Sequence, residues 1–233
     1  MRNLAVIPAR GGSVRIPHKN ICDFEGRPLI SYSIEAAQKS GLFDMIMVST
    51  DDEKIAAVAR EWGAEVPFMR SAELSDHYTG TFAVTKDAVL RLENECHQFF
   101  DSVCCIYATA PLLTPKYLKE AYELFVSSHA DSVMACCEFN FPVQRAQYVD
   151  DDHCPHPFMP DCMPMRSQDL KKAVHDAGQF YFYAKNRFHP VDKHQEVVRV
   201  FELPRHRVLD IDTPEDLALA RVMFRAVKEL GLD

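Results

Sequence analysis

No run of apolar residues in this chain is long enough to cross a bilayer, and the first one, Leu4 to Ile7, is only a strand long before Pro8 stops it. Neither a leader peptide nor a membrane partner is therefore expected. There is no G-x-x-x-x-G-K-[ST] loop and no G-x-G-x-x-G anywhere, so P-loop kinases and nicotinamide oxidoreductases lose their main support. A G-x-S-x-G elbow is missing too, and with it the local signature of Ser-His-Asp hydrolysis. Positive charge is in deficit. The 26 Lys and Arg stand against 34 Asp and Glu, a formal net charge of -8, so nucleic acid is not an expected partner. A small anion held by a few local cations stays compatible with that balance.

Cysteine is not scarce, but the eight include the adjacent pairs Cys104-Cys105 and Cys136-Cys137, set inside apolar runs. Such pairs read as reduced core residues of a cytoplasmic protein, not as a disulfide framework. At 233 residues the chain is expected to be a single domain, 1–233, with a substantial core.

Strand-like and helix-like segments alternate. Residues 3–8, 45–50, 101–108 and 131–139 read as buried strands. A helix is predicted over 28–40, with Ile30, Ile34 and Ala37 on one face and Gly41 to end it. Another follows Thr50 and Glu53, spaced as a capping box, with Ile55, Ala59 and Trp62 inward. A third spans about 79–96. A fourth is opened by Thr114-Pro115, with Leu118, Ala121, Tyr122 and Phe125 inward. "AGQFYFYA" and "VVRVFELP" read as later strands. The C-terminal stretch reads as strand, turn and helix, capped by Thr213 with Pro214 at its first position and Leu219, Met223, Ala226 and Leu230 on its inner face. This βαβ rhythm predicts an α/β fold, a parallel or mostly parallel sheet with helices on both faces. The rhythm breaks at 140–177. That stretch is rich in proline yet carries Phe141, Tyr148, Phe158, Met159, Met163 and Met165, apolar groups that need a surface to cover. It is expected to be a protruding arm that packs on a second subunit.

Two stretches carry the chemistry. "IPARGGSVRIPHKN", residues 7–20, leaves the first strand through Gly11-Gly12 and scatters Arg10, Arg15 and Lys19 along one loop. Exposed amides beside cations suit an oligophosphate, and ligands bind open α/β sheets at the carboxyl ends of strands; a plain basic surface loop is the alternative. "LDID", 209–212, places Asp210 and Asp212 on one face if it is a strand. Paired carboxylates repel, and a divalent cation such as Mg²⁺ relieves that repulsion. Asp150-Asp151-Asp152 reads as a solvated turn, and His153, Cys154, His156 and Cys162 match no familiar zinc spacing.

"IPARGGSVRIPHKNI", "VSTDDEKIA", "FMRSAELS", "ATAPLL", "DAGQFY" and "DIDTPEDL" occur in this order over nearly the whole chain. Together they resemble the CMP-sugar-acid synthetases, cytidylyltransferases of nine-carbon sialic-type acids. "RSQDL" followed by "HDAGQFYF" is most similar to the branch that activates pseudaminic acid. The resemblance implies a Rossmann-like domain with a dimerisation arm, a homodimer, and Mg²⁺-dependent joining of CTP and a nonulosonic acid to give the CMP-sugar and pyrophosphate. It implies CTP binding by the loop residues Ala9, Arg10, Gly11, Gly12 and Ser13 with Lys19 and Asn20, and cytidine contacts from Arg70 and Thr81. Arg10 and Lys19 would act in catalysis with Asp210 and Asp212, the metal carboxylates. Arg166, Gln179 and Phe180 fall where the sugar acid binds, and Arg166 or Arg145 suits its carboxylate. The family loop usually reads G-G-S-K-R; here Val14 replaces the lysine and removes one phosphate cation. His18 stands where a basic residue is common. Three alternatives stay open: a sister enzyme using N-acetylneuraminate, legionaminate or Kdo, a D-x-D glycosyltransferase, and a cytidine-nucleotide sensor without activity.

Overall fold

The computed structural model describes residues 1–189 and 195–232. Among the described residues, five α-helices and ten strands follow in the order β1 (Asn3–Pro8), β2 (Asp23–Phe24), β3 (Arg27–Pro28), α1 (Leu29–Ser40), β4 (Met45–Ser49), α2 (Glu53–Glu61), α3 (Thr81–Cys96), β5 (Ser102–Ile106), α4 (Pro115–Ser127), β6 (Ser132–Glu138), β7 (Gln147–Val149), β8 (Pro155–Pro157), β9 (Val174–Ala184), β10 (Val198–Glu202) and α5 (Pro214–Leu230). Six strands form one sheet in the order β10-β6-β9-β5-β1-β4. β1 runs parallel to both β4 and β5, and β10 runs parallel to β6. The aromatic strand β9 is the exception: it is wedged antiparallel between β5 and β6.

Alternation along β1 explains the two covered faces. Ala5 and Ile7 join a core with Ile30 and Ile34 of α1, Ile55 of α2 and Leu118 of α4. Leu4 and Val6 point the other way, into a core with Ala88, Val89 and Leu92 of α3. Helices therefore cover both faces of a mostly parallel sheet, as the sequence rhythm requires. A third cluster joins the chain's two ends: Ile16, Phe24, Leu29 and Tyr32 pack with Ile211 and Ala220.

Three local expectations are corrected. α2 is capped by Asp52, whose carboxylate accepts from the N–H groups of Lys54 and Ile55, whereas the Thr50 hydroxyl accepts from the N–H of Asp52. Residues 208–212 run outside any strand, so no sheet alternation places the two aspartates. The inner face of α5 is Leu217, Ala220, Phe224 and Val227; Leu219 and Leu230 face solvent. α5 carries apolar residues nearly all round, and packing on Phe24 and Tyr32 selects among them.

The predicted arm is an excursion of short 3-10 turns and the β7–β8 hairpin, and it ends before 177 because β9 starts at Val174. Phe141 and Phe158 are 82% and 64% exposed on it. Among the described residues no group of three or more His, Cys, Asp or Glu side chains is placed to hold a metal ion, and His153, Cys154, His156 and Cys162 form none. All eight cysteines are free. No described helix is long and apolar enough to cross a membrane.

Candidate active site

β1 ends at Pro8, and the chain then bends across the carboxyl edge of the sheet. Its loop is pinned from three sides. The N–H of Ala9 donates to the Ser49 carbonyl at 2.9 Å, the buried Asn20 side chain donates to the Arg10 carbonyl at 3.0 Å, and the N–H of Gly11 donates to the Asp51 carboxylate at 2.9 Å. Glycine is required at 11: a Cβ there would lie 2.7 Å from Asp52 Oδ2. Gly12 has open space around it, leaving its backbone approachable.

Arg10, Ser13, Lys19, Asn20, Arg70 and Thr81 line one cleft of about 180 Å³. Six of the nine residues expected at CTP thus converge; Ala9, Gly11 and Gly12 belong to the same loop without forming the cleft wall. Arg70, whose side chain is buried, meets Asp51 at 3.5 Å. Burial pushes its pKa down, and the Asp51 charge opposes that. Arg10 donates to the carbonyl of Asp76 at 2.7 Å and approaches His77 Nδ1 at 2.9 Å. Asp76, Thr79, Tyr107 and Thr109 line the cleft as well and were not singled out from sequence. Tyr107 and Thr109 follow β5, next to β1, so the carboxyl-edge rule reaches them; Asp76 and Thr79 sit in a loop without periodicity.

Lys19 links the cleft to the far end of the chain. Its Nζ donates to the Ile211 carbonyl at 2.5 Å and to Asp212 Oδ1 at 3.2 Å. Arg15 reaches the other oxygen of Asp212 at 2.9 Å. What brings the ends together is α5. Phe224 packs edge-on against Phe24 and Tyr32, and Arg225 pairs with Glu25 at 2.8 Å. Thr213 and Asp216 form a capping box, and Asp216 also accepts from the N–H of Asp212, which fixes the turn that presents it.

The two aspartates differ in charge economy. Burial raises the pKa of Asp210, and the neighbouring Asp212 raises it further. Burial pushes Asp212 up as well, but Lys19 and Arg15 outweigh it and hold its pKa below the ordinary value. Asp210 has no hydrogen-bond or ion-pair partner among the described residues.

The expected sugar-acid residues are not gathered at the cleft. Phe180 is fully buried, against Phe182 and Phe201, so it cannot touch a ligand. Gln179 is also buried and donates to the Arg207 carbonyl. Arg166 pairs with Asp169 on the arm at 2.8 Å. Arg145 bonds to Met165 and Ser167 beside a separate, largely apolar cavity of about 670 Å³. Side chains alternate along β9, and both faces of the sheet are covered: Phe180 and Phe182 enter one core, Tyr181 and Tyr183 the other.

A family model described as cytidylyltransferase matches residues 4–220. The chain belongs to the cytidylyltransferase family. It is 47% identical over 233 residues to the pseudaminic acid cytidylyltransferase of Campylobacter jejuni, covering 98% of this chain and 99% of that one. It is 39% identical over 183 residues to N-acylneuraminate cytidylyltransferase A of Danio rerio, covering 78% of this chain and 41% of the relative. A solved structure of CMP:2-keto-3-deoxy-manno-octonic acid synthetase complexed with CTP superposes with a TM-score of 0.70 at 19% identity, over 97% of this chain and 99% of that one. Fold and family thus place this cytidylyltransferase's cleft at the carboxyl edge of a Rossmann-like sheet.

Proposed function

We propose that this cytidylyltransferase joins CTP to pseudaminic acid, giving the CMP-sugar and pyrophosphate. The carrying observation is Lys19, which lines the cleft and touches Asp212 at once. The likeness to the C. jejuni enzyme over nearly both full lengths supports the choice of acid. A non-catalytic sensor has no use for a carboxylate pair beside its phosphate cations.

The donor set fits a divalent cation. Two carboxylates lie close enough for Asp212 to raise the pKa of Asp210; Lys19 and Arg15 lower it through space, yet Asp210 makes no hydrogen bond or ion pair among the described residues. Mg²⁺ takes one or two carboxylates and completes its shell with water and phosphate oxygens. When bound at Asp210 and Asp212, it supplies charge neutralisation and Lewis acidity toward the phosphates.

The chain's own groups do the positioning. Arg70 and Thr81 face the nucleoside, while the loop amides and Ser13 face the phosphates. The anomeric oxygen of the acid forms a bond to the α-phosphorus. The bond from that phosphorus to the bridging oxygen breaks, and pyrophosphate leaves with the electron pair. Arg10 and Lys19 neutralise that leaving charge, and the hydroxyl proton passes to solvent. Orientation and fixed charge carry the barrier reduction. Val14 leaves the loop one cation short, and Arg15, paired with Asp212, and Lys19, which lines the cleft, are the cations at hand to offset it.

The arm supports a homodimer. Its exposed Phe141 and Phe158 need a cover, and Arg145 and Arg166 lie off their own cleft; an arm reaching a second subunit answers both. Eight free cysteines suit a reducing cytoplasm. The test is incubation with CTP, Mg²⁺ and, separately, pseudaminic, N-acetylneuraminic, legionaminic and Kdo acids, with products read by mass and pyrophosphate release. Fastest turnover with another acid overturns the substrate; no product with any of them overturns the reaction.

A further inference from the structure

Two aspartates follow β4, and only one is spent on local structure. Asp52 caps α2. Asp51 makes no capping bond to that helix; a single oxygen, Oδ1, serves two elements distant in sequence, one of them the cleft-lining Arg70. It accepts the Gly11 N–H at 2.9 Å and meets Arg70 Nη2 at 3.5 Å. Arg70 has only 3% of its side chain exposed. Its Nε donates to the Ser75 hydroxyl at 3.2 Å, a neutral partner. Asp51 is the one carboxylate paired with Arg70 among the described residues. A buried guanidinium without its counter-charge is strongly disfavoured, so the position of Arg70 depends on Asp51. Asp52 lies on the other side of Gly11, where an added Cβ would meet it at 2.7 Å.

We propose that Asp51 is a positioning residue that sets Arg70 and the Gly11 amide together, so that nucleoside and triphosphate recognition share one carboxylate. The proposal rests on the reading of the cleft as the CTP site. Asp51 need not touch CTP. It acts through Arg70 and the loop, and its loss weakens CTP binding without altering the chemical step.

The test is steady-state kinetics on Asp51→Asn, Arg70→Gln and the double variant of the full chain, with melting temperatures alongside. Asparagine keeps the volume and an acceptor oxygen for Gly11 but removes the charge. Asp51→Asn is expected to raise the KM for CTP about tenfold, the scale of a lost charged hydrogen bond, with kcat held within about twofold. The double variant is expected to match Arg70→Gln within about twofold, because both changes remove one coupled unit. A KM unchanged in Asp51→Asn, with or without a lower melting temperature, overturns the proposal. So does a double variant whose KM increase is the product of the two single ones. If Arg70→Gln itself leaves the KM for CTP unchanged, the reading of the cleft fails along with the proposal; if Arg70→Gln alone has an effect, the cleft stands and Asp51 drops out.

Discussion

Lys19 and Asp212 are 193 residues apart in the chain and 3.2 Å apart in space. The contact ties a cleft-lining lysine of the glycine loop to the turn before α5. It brings the cations near one end of the chain beside the carboxylates near the other.

Replacing Lys19 by Met removes the cleft cation that reaches both segments. CTP binding is expected to weaken by on the order of 1.5–3 kcal/mol, the worth of a charge-assisted hydrogen bond. Calorimetric titration of CTP into the variant checks this, and an unchanged isotherm removes Lys19 from the site.

Asp212→Asn is expected to abolish Mg²⁺-dependent pyrophosphate release while leaving a cooperative melt. Near-parental kcat in Mg²⁺ would overturn the metal assignment.

Asp210→Asn gives the opposite signs for activity and stability. The folded-state pKa of Asp210 is raised, by burial first and by Asp212 second. The folded state therefore binds this proton more tightly than the unfolded state, and ionised Asp210 costs stability at neutral pH. A neutral asparagine lifts that cost, so the melting temperature at pH 7 rises as turnover collapses. A melting temperature lower than the parent's contradicts the pKa direction. In the parent, Asp210 takes up its proton above the usual carboxylate value as pH falls. Asp212 shows the reverse linkage. Its pKa is lowered, so its contribution to stability is present above the unfolded value of about 3.9 and fades as pH drops through the folded one.

Gly11→Ala drives a methyl group against Asp52. Asp52 cannot swing aside without losing the cap on α2, worth about 1 kcal/mol. The phosphate loop moves instead, and kcat/KM for CTP is expected to fall more than tenfold, by analogy with overpacked sites that cost about 1–3 kcal/mol. Adding Asp52→Gly, which clears the contact and still caps tolerably, is expected to recover part of it.

Phe141→Ser with Phe158→Ser removes the largest exposed apolar groups of the arm. Sedimentation velocity is expected to shift from dimer to monomer, with turnover falling on dilution. A monomeric parent of full activity overturns the homodimer.

Much of this was legible before any coordinates. Continuous apolar runs marked β1, β4, β5 and β6, because strands buried on both faces leave no alternation to misread. Thr114-Pro115 and Thr213-Pro214 marked two helix starts, because a hydroxyl acceptor followed by a residue lacking an N–H leaves few other uses. Arg10, Lys19 and Arg70 were legible from the resemblance, and a single loop and its neighbours hold them. The misses have physical causes. Asp52 outcompetes Thr50 as a cap because it sits next to the first helical residue. Phe180 looked like a ligand contact, but no sequence pattern tells which side of an aromatic strand is enclosed. Tyr107 and Asp76 reach the cleft from a strand end and an irregular loop, where periodicity carries no signal.

The reversed strand between β5 and β6 imposes an order on biosynthesis. Residues through 138 leave the ribosome as a three-stranded sheet, β5-β1-β4, and the lone strand β6, which share no edge, since only β9, beginning at Val174, bridges them and β10 comes later still. Until some 180 residues have been made, β5 and β6 expose unpaired edges to any neighbouring nascent chain. Closure of the sheet is thus a late, long-range event, and productive assembly depends on protecting two sticky fragments until their common partner emerges.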